Sequence, residues 1–96
     1  MIEPTPVVEL NRAVAVAMAF GPARGLELVD RLRSRPELRS YHLLPSVRGD
    51  LLAKLGRPVE ARAEFERAAD QTRNGQERSV LLRRAAACSP GRDNQG

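Results

Sequence analysis

The chain has 96 residues and a mass of 10.6 kDa, room for one small domain and not for two. A hydrophobic fraction of 42% supports a core. The only aromatic residues are Phe20, Tyr41 and Phe65, so that core is built from alanine, leucine and valine, which suits close-packed helices and argues against an all-β design. The net charge of +4 raises the question of a nucleic-acid partner, yet fifteen of the 16 basic residues are arginine, a skew that genome base composition produces as readily as selection for binding.

Prolines and glycines divide the chain. Thr5 before Pro6 is a helix opening, because a hydroxyl caps free amides and proline needs no amide partner in the first turn. The first helix is predicted from Pro6 to about Ala19. It is apolar on most faces, with Asn11 and Arg12 as the polar pair in its middle, and such a helix is expected to be packed on two sides. Gly21 and Pro22 end it and open an amphipathic second helix within GPARGLELVDRLRSR, with Leu26, Val29 and Leu32 on one face and Pro36 as its stop. Pro45 fits a helix only in the first turn, which places the start of the third helix near Leu43. Gly56 closes it in the left-handed cap position, and Pro58 begins the fourth helix, VEARAEFERAADQTR. Asn74 and Gly75 make a turn before a fifth helix from about Gln76 to Ala87. Residues 1–88 form the helical domain, and Ser89 to Gly96 is a polar tail expected to be disordered.

These breaks imply antiparallel helices joined by short turns, the arrangement of helical-repeat proteins. Gly49, Leu52, Gly56, Ala61, Phe65 and Ala68 reproduce the small and large positions of a tetratricopeptide-type helix pair. Gly49 and Ala61 allow close approach, Gly56 permits the turn, and Phe65 fills the gap to the next repeat. The first pair follows more loosely, with Ala13, Val14 and Ala17 as the small face, Gly25 at the close approach and Val29 as the plug. Gly25 to Ala61 and Val29 to Phe65 are each 36 residues apart. The fifth helix covers the exposed end of the second pair, as terminal helices do in stacked repeats. The expected fold is all-α: two antiparallel hairpins plus a capping helix, tetratricopeptide-like and marginally stable at this size.

The stretches PTPVVELNRAVAVAMAFGPARGLELVD, SYHLLPSVRGDLLAKLGRPVEARAEFERA and NGQERSVLLRR resemble, in order and spacing, the carboxy-terminal extension of a group of bacterial extracytoplasmic-function (ECF) sigma factors. The resemblance runs from about Pro4 to Arg84 and includes the strings LNRAVAVA and YHLLP. It departs at Ser40, where glycine is expected, and at Gly49, where alanine is expected. The resemblance implies a tetratricopeptide-like accessory domain in transcription initiation. Its partners would be the sigma-factor core regions, RNA polymerase or a regulatory protein. The promoter- and core-binding regions are expected before Met1, since nothing here resembles their helix-turn-helix. The family's high-GC bacterial sources would also account for arginine in place of lysine.

By the repeat alignment Asn11, Met18, Ser46 and Asp50 point into the groove made by the first helix of each pair, with Arg12 beside Asn11. Tyr41 and His42 stand at the mouth of that groove, or satisfy a helix start. A lone histidine without a second ligand or paired carboxylate is a poor metal ligand and a poor base. Cys88 has no partner thiol for a disulfide, no base near it, and fits a reducing compartment. No catalytic, cofactor or metal site is therefore expected, and the chain is read as a non-enzyme. Arg31, Arg35, Arg39, Arg83 and Arg84 could form basic patches, but they alternate with Glu27, Asp30, Glu37, Glu60, Glu64, Glu66 and Glu77 at ion-pair spacing. A solvated face is the expectation, without direct DNA contact. No apolar run approaches the roughly 18 residues of a membrane span, and the amino terminus lacks a secretion signal, so a cytoplasmic protein is expected. The alternative function is a free-standing helical-repeat adaptor that binds a peptide or protein in the same groove.

Overall fold

The computed structural model describes residues 5–88. Among them are five α-helices, α1 (Pro6–Phe20), α2 (Pro22–Leu32), α3 (Leu43–Lys54), α4 (Pro58–Gln71) and α5 (Gly75–Ala87), with a 3-10 turn at Pro36–Leu38 between α2 and α3. The tail expected to be disordered lies outside the described residues.

The helix boundaries follow from local chemistry. Thr5 Oγ1 accepts a hydrogen bond from the Val8 amide at 3.2 Å, and Pro6 occupies the first turn. Gly21 and Gly56 adopt φ of 104° and 75°, left-handed backbone that side-chain-bearing residues rarely enter, and each lets the chain reverse into a proline-led helix. Pro45 falls within the first turn of α3, where its missing amide costs no helical bond. Asn74 Oδ1 accepts from the amides of Gln76 and Glu77 at 2.9 and 3.0 Å, so α5 starts one residue earlier than predicted. The second helix closes at Leu32, short of the proline stop at position 36, because Ser34 Oγ donates to the Arg31 carbonyl at 3.1 Å and the chain turns there. The connector then buries Leu38.

Helices α1 and α2 form one hairpin and α3 and α4 the next. The hairpins stack through α2 against α3, and α5 packs on α4. The core runs along this stack, with Val29, Leu52 and Phe65 as its largest fully buried side chains, each contributing about 1.5–3 kcal/mol by burial. Close approach is visible at two glycines. A Cβ placed at Gly25 would stand 2.5 Å from the Ala17 Cβ and 3.0 Å from the Ala13 carbonyl oxygen, so α1 and α2 meet backbone to backbone. A Cβ at Gly49 would stand 2.9 Å from the ring of Phe65. Phe65 therefore fills the space inside its own hairpin, and the Arg84 guanidinium of α5 covers its ring face, 4.7 Å from the centroid. The sequence reading assigned Phe65 only to the gap beyond the hairpin.

The repeat extends further than the two hairpins. Ala13, Gly49 and Ala85 are successive positions 36 residues apart, and all three are buried. The residues just before them are Arg12, Arg48 and Arg84. In phase, α5 is thus the first helix of a third pair as well as a cap.

Two expectations are corrected. Helix α1 is packed on one side, not two: Leu10 and Ala13 are buried, whereas Val7, Val8, Met18 and Phe20 are exposed. Its apolar sequence provides two faces, but as the first helix in the row it has α2 on one flank and only light contact with α3. Glu64, read as part of a solvated face, is buried. Its Oε2 lies 3.2 Å from Arg48 Nη1, and Arg48 Nε donates to Asp30 Oδ1 at 2.7 Å. This triad joins α2, α3 and α4. Burying Arg48 and Glu64 is tolerable because each charge is matched by the other.

Candidate functional site

Helices α1, α3 and α5, the first helix of each phase, line one face of the stack. Two adjoining hollows lie along it. One, of about 280 Å³, is formed by α1 and α3, with Val14, Ala17, Met18, Val47 and Leu51 as its apolar lining. The other, of about 320 Å³, lies between α3 and α5, with Leu43, Val80 and Leu81 as its apolar part. Ser46 and Arg84 line both, which makes the hollows one groove. At its centre Asp50 is bridged by two cations: Arg84 Nη2 donates to Oδ1 at 2.8 Å and Lys54 Nζ lies 3.0 Å from Oδ2. With both oxygens engaged, Asp50 fixes Arg84 and Lys54 in place. The groove thus offers an apolar floor with a charged rim. That suits an extended or helical segment held by side-chain contact.

The predicted site residues separate. Met18, Ser46 and Asp50 line the first hollow, and His42 and Ser46 line the second. Arg12 lines a different hollow on the other flank of α1, with Glu9, Leu28, Arg31 and Leu32. Asn11 is exposed and lines neither part of the groove. Its spacing places it on the stripe Val7, Asn11, Val14, Met18 along α1, the three- and four-residue steps of one helix face. Tyr41 is half-buried against the core, its ring edge-on to His42 at 6.0 Å between centroids, and it too lies off the groove. Sequence reasoning missed Lys54 and, as a groove residue, Arg84. The 36-residue phase would not have found it, since its equivalents Arg12 and Arg48 both lie off the groove.

The far end of the groove is held by a polar joint between α4 and α5. Thr72 Oγ1 donates to Glu77 Oε1 at 2.7 Å, and His42 Nε2 stands 3.0 Å from the same oxygen. The Thr72 hydroxyl holds the Glu77 carboxyl below its ordinary pKa; desolvation opposes this, and the nearby His42 adds to the lowering. Arg78 crosses back to donate to the Ala69 and Thr72 carbonyls at 3.1 and 2.8 Å, satisfying acceptors that the end of α4 leaves free. Residues from α3, α4 and α5 are therefore tied together where the groove opens. Cys88, at the end of α5, is half-buried against the core.

Fold and groove define an all-helical protein of paired antiparallel helices stacked as a helical repeat. No family model and no solved structure matches the chain. An uncharacterized protein of Rhizobium meliloti is 42% identical to it over 80 residues, which are 83% of this chain and 18% of that protein. The chain thus spans less than a fifth of the length of the curated relative it matches. No helix among the described residues is long and apolar enough to cross a membrane.

Proposed function

We propose that this chain is a non-catalytic interaction domain of an ECF-type RNA polymerase sigma factor, acting in transcription initiation inside the cell. The observation that carries the reading is the uncovered apolar side of α1. Met18 is 83% exposed and Phe20 73% exposed, and Met18 continues directly into the groove wall. Large apolar side chains left this exposed on one helix are candidates for contact with a partner. The resemblance of the three quoted stretches to the sigma-factor extension supplies the partner: the sigma regions, the polymerase or a regulator. The greater length of the Rhizobium meliloti protein is in keeping with a domain that works within a longer chain.

The test is a pull-down with the sigma regions and with polymerase core, using the chain and a Met18→Glu/Phe20→Glu variant. Both positions are exposed, so stability should change by no more than about 0.5 kcal/mol, while capture by the sigma regions or polymerase should be lost. Equal capture of both forms would sink the proposal. The continuity of the two hollows favours a second reading, a free-standing adaptor that takes a peptide in the groove. That reading expects Arg84→Ala and Ser46→Trp to block a peptide ligand while sigma regions fail to bind at all.

A further inference from the structure

On the opposite side from the groove, where the end of α2, the connector, the first turn of α3 and the last turns of α4 meet, lies a polar hollow of about 350 Å³. Arg33, Arg39 and Arg67 line it, over a floor that includes Leu38, Leu44 and Pro45. Among the described residues no carboxylate lies within ion-pair distance of Arg39 or Arg67. Arg33 reaches only to 4.0 Å from Asp30 Oδ1, an oxygen that already accepts from Arg48 at 2.7 Å. Of the surface arginines elsewhere that were candidates for a basic patch, Arg35 lies 3.4 and 3.5 Å from Glu9 and Glu37 and Arg84 holds Asp50, whereas Arg31 and Arg83 stand on the surface outside this hollow. The hollow therefore brings three guanidiniums together against one lining carboxylate, Asp30, which Arg48 also holds.

Its wall is also built. Gln71 Nε2 donates to the Arg39 backbone carbonyl at 3.1 Å and pins the connector to α4. The Oε1 of the same amide is shut off from water and has no donor.

We propose that this hollow is a docking site for an acidic peptide segment, whose Asp or Glu carboxylates take the arginines. Planar guanidiniums match carboxylates in two-bonded geometry. A nucleic-acid backbone needs an open basic stripe and does not settle onto an apolar floor inside a hollow. The site lies apart from the groove and does not depend on the sigma-factor reading.

The test is fluorescence anisotropy with labelled hexaglutamate and, separately, a labelled 20-base-pair DNA duplex at the same salt concentration. Hexaglutamate should bind the chain, and Arg39→Gln/Arg67→Gln should weaken binding at least tenfold. The control Arg24→Gln/Arg83→Gln, which removes the same charge from exposed positions elsewhere, should weaken it less than threefold. Helical circular dichroism and Tm confirm that both variants are folded. The proposal is overturned by absence of hexaglutamate binding, by equal loss in the control, or by DNA binding more tightly through Arg39 and Arg67.

Discussion

The two hairpins share a repeat phase and differ in what surrounds them. In the first, Gly25 brings α1 against α2 so closely that the contact is backbone and methyl, and Val29 suffices as filler. In the second, Gly49 makes room for the Phe65 ring, and the arginine of the next phase lies over that ring. The arginines at one phase position show the same contrast. Arg12 is exposed, Arg48 is buried in an ion triad, and Arg84 is exposed at the groove centre. Equivalent sequence positions thus acquire different roles because α3 has helices on both flanks and α1 has not. Among the described residues nothing covers Met18 and Phe20 at the α1 end of the stack, and both stand exposed.

The sharpest way to break this comparison is to remove each filler. Phe65→Ala should cost about 3–5 kcal/mol, the range for a large buried aromatic, while Val29→Ala costs less because fewer atoms leave; urea melts of both measure the difference. Equal costs would mean that the hairpins are packed alike. The buried charge comes next. Arg48→Met leaves Glu64 buried without a partner and should destabilise by about 3–5 kcal/mol, whereas Arg48→Met with Glu64→Leu should return most of that loss. Failure of the second change to restore stability would show that the triad holds the stack by more than charge balance.

Gly25→Ala should follow, at about 1–3 kcal/mol, since the added carbon meets the Ala17 methyl and the Ala13 carbonyl of a facing backbone. Gly49→Ala meets a side chain instead, so Phe65→Leu in the same chain should relieve it, and no equivalent relief exists for Gly25. The smallest effect is expected at the α4–α5 joint. Because the folded chain holds the Glu77 carboxyl below its ordinary pKa, its contribution is complete above the ordinary carboxylate range and disappears as the pH falls through the lowered value. Glu77→Gln should therefore lower Tm slightly at neutral pH, with the difference from the unaltered chain closing in acid. A gap that stays constant with pH would mean that the Glu77 side chain supports the joint without its charge.

The helix count and class were legible from punctuation: Thr5-Pro6, Gly21-Pro22, Gly56 with Pro58, and Asn74-Gly75 each stand at an observed boundary. The close approach at Gly25 was legible for the same reason, since a small residue in an apolar helix reports a neighbour. The groove was half legible. Met18, Ser46 and Asp50 followed from the repeat phase, but Asn11 and Tyr41 did not: Asn11 shares a stripe with Val14 and Met18 yet lies beyond the hollow they line, and Tyr41 sits in the connector before α3, packed against the core. Glu64 and Arg48 were hidden, because a buried ion pair has the same letters as a solvated one.

The sequence by itself determined the all-α hairpin architecture, through local capping, turn backbone and the spacing of small residues, all of which act within a few positions of the chain. Only the tertiary structure decided which charges are buried, which arginines gather around the polar hollow, and which face of α1 remains open. Those outcomes depend on which helices lie next to one another in space, and burial and charge pairing are properties of neighbours rather than of residues.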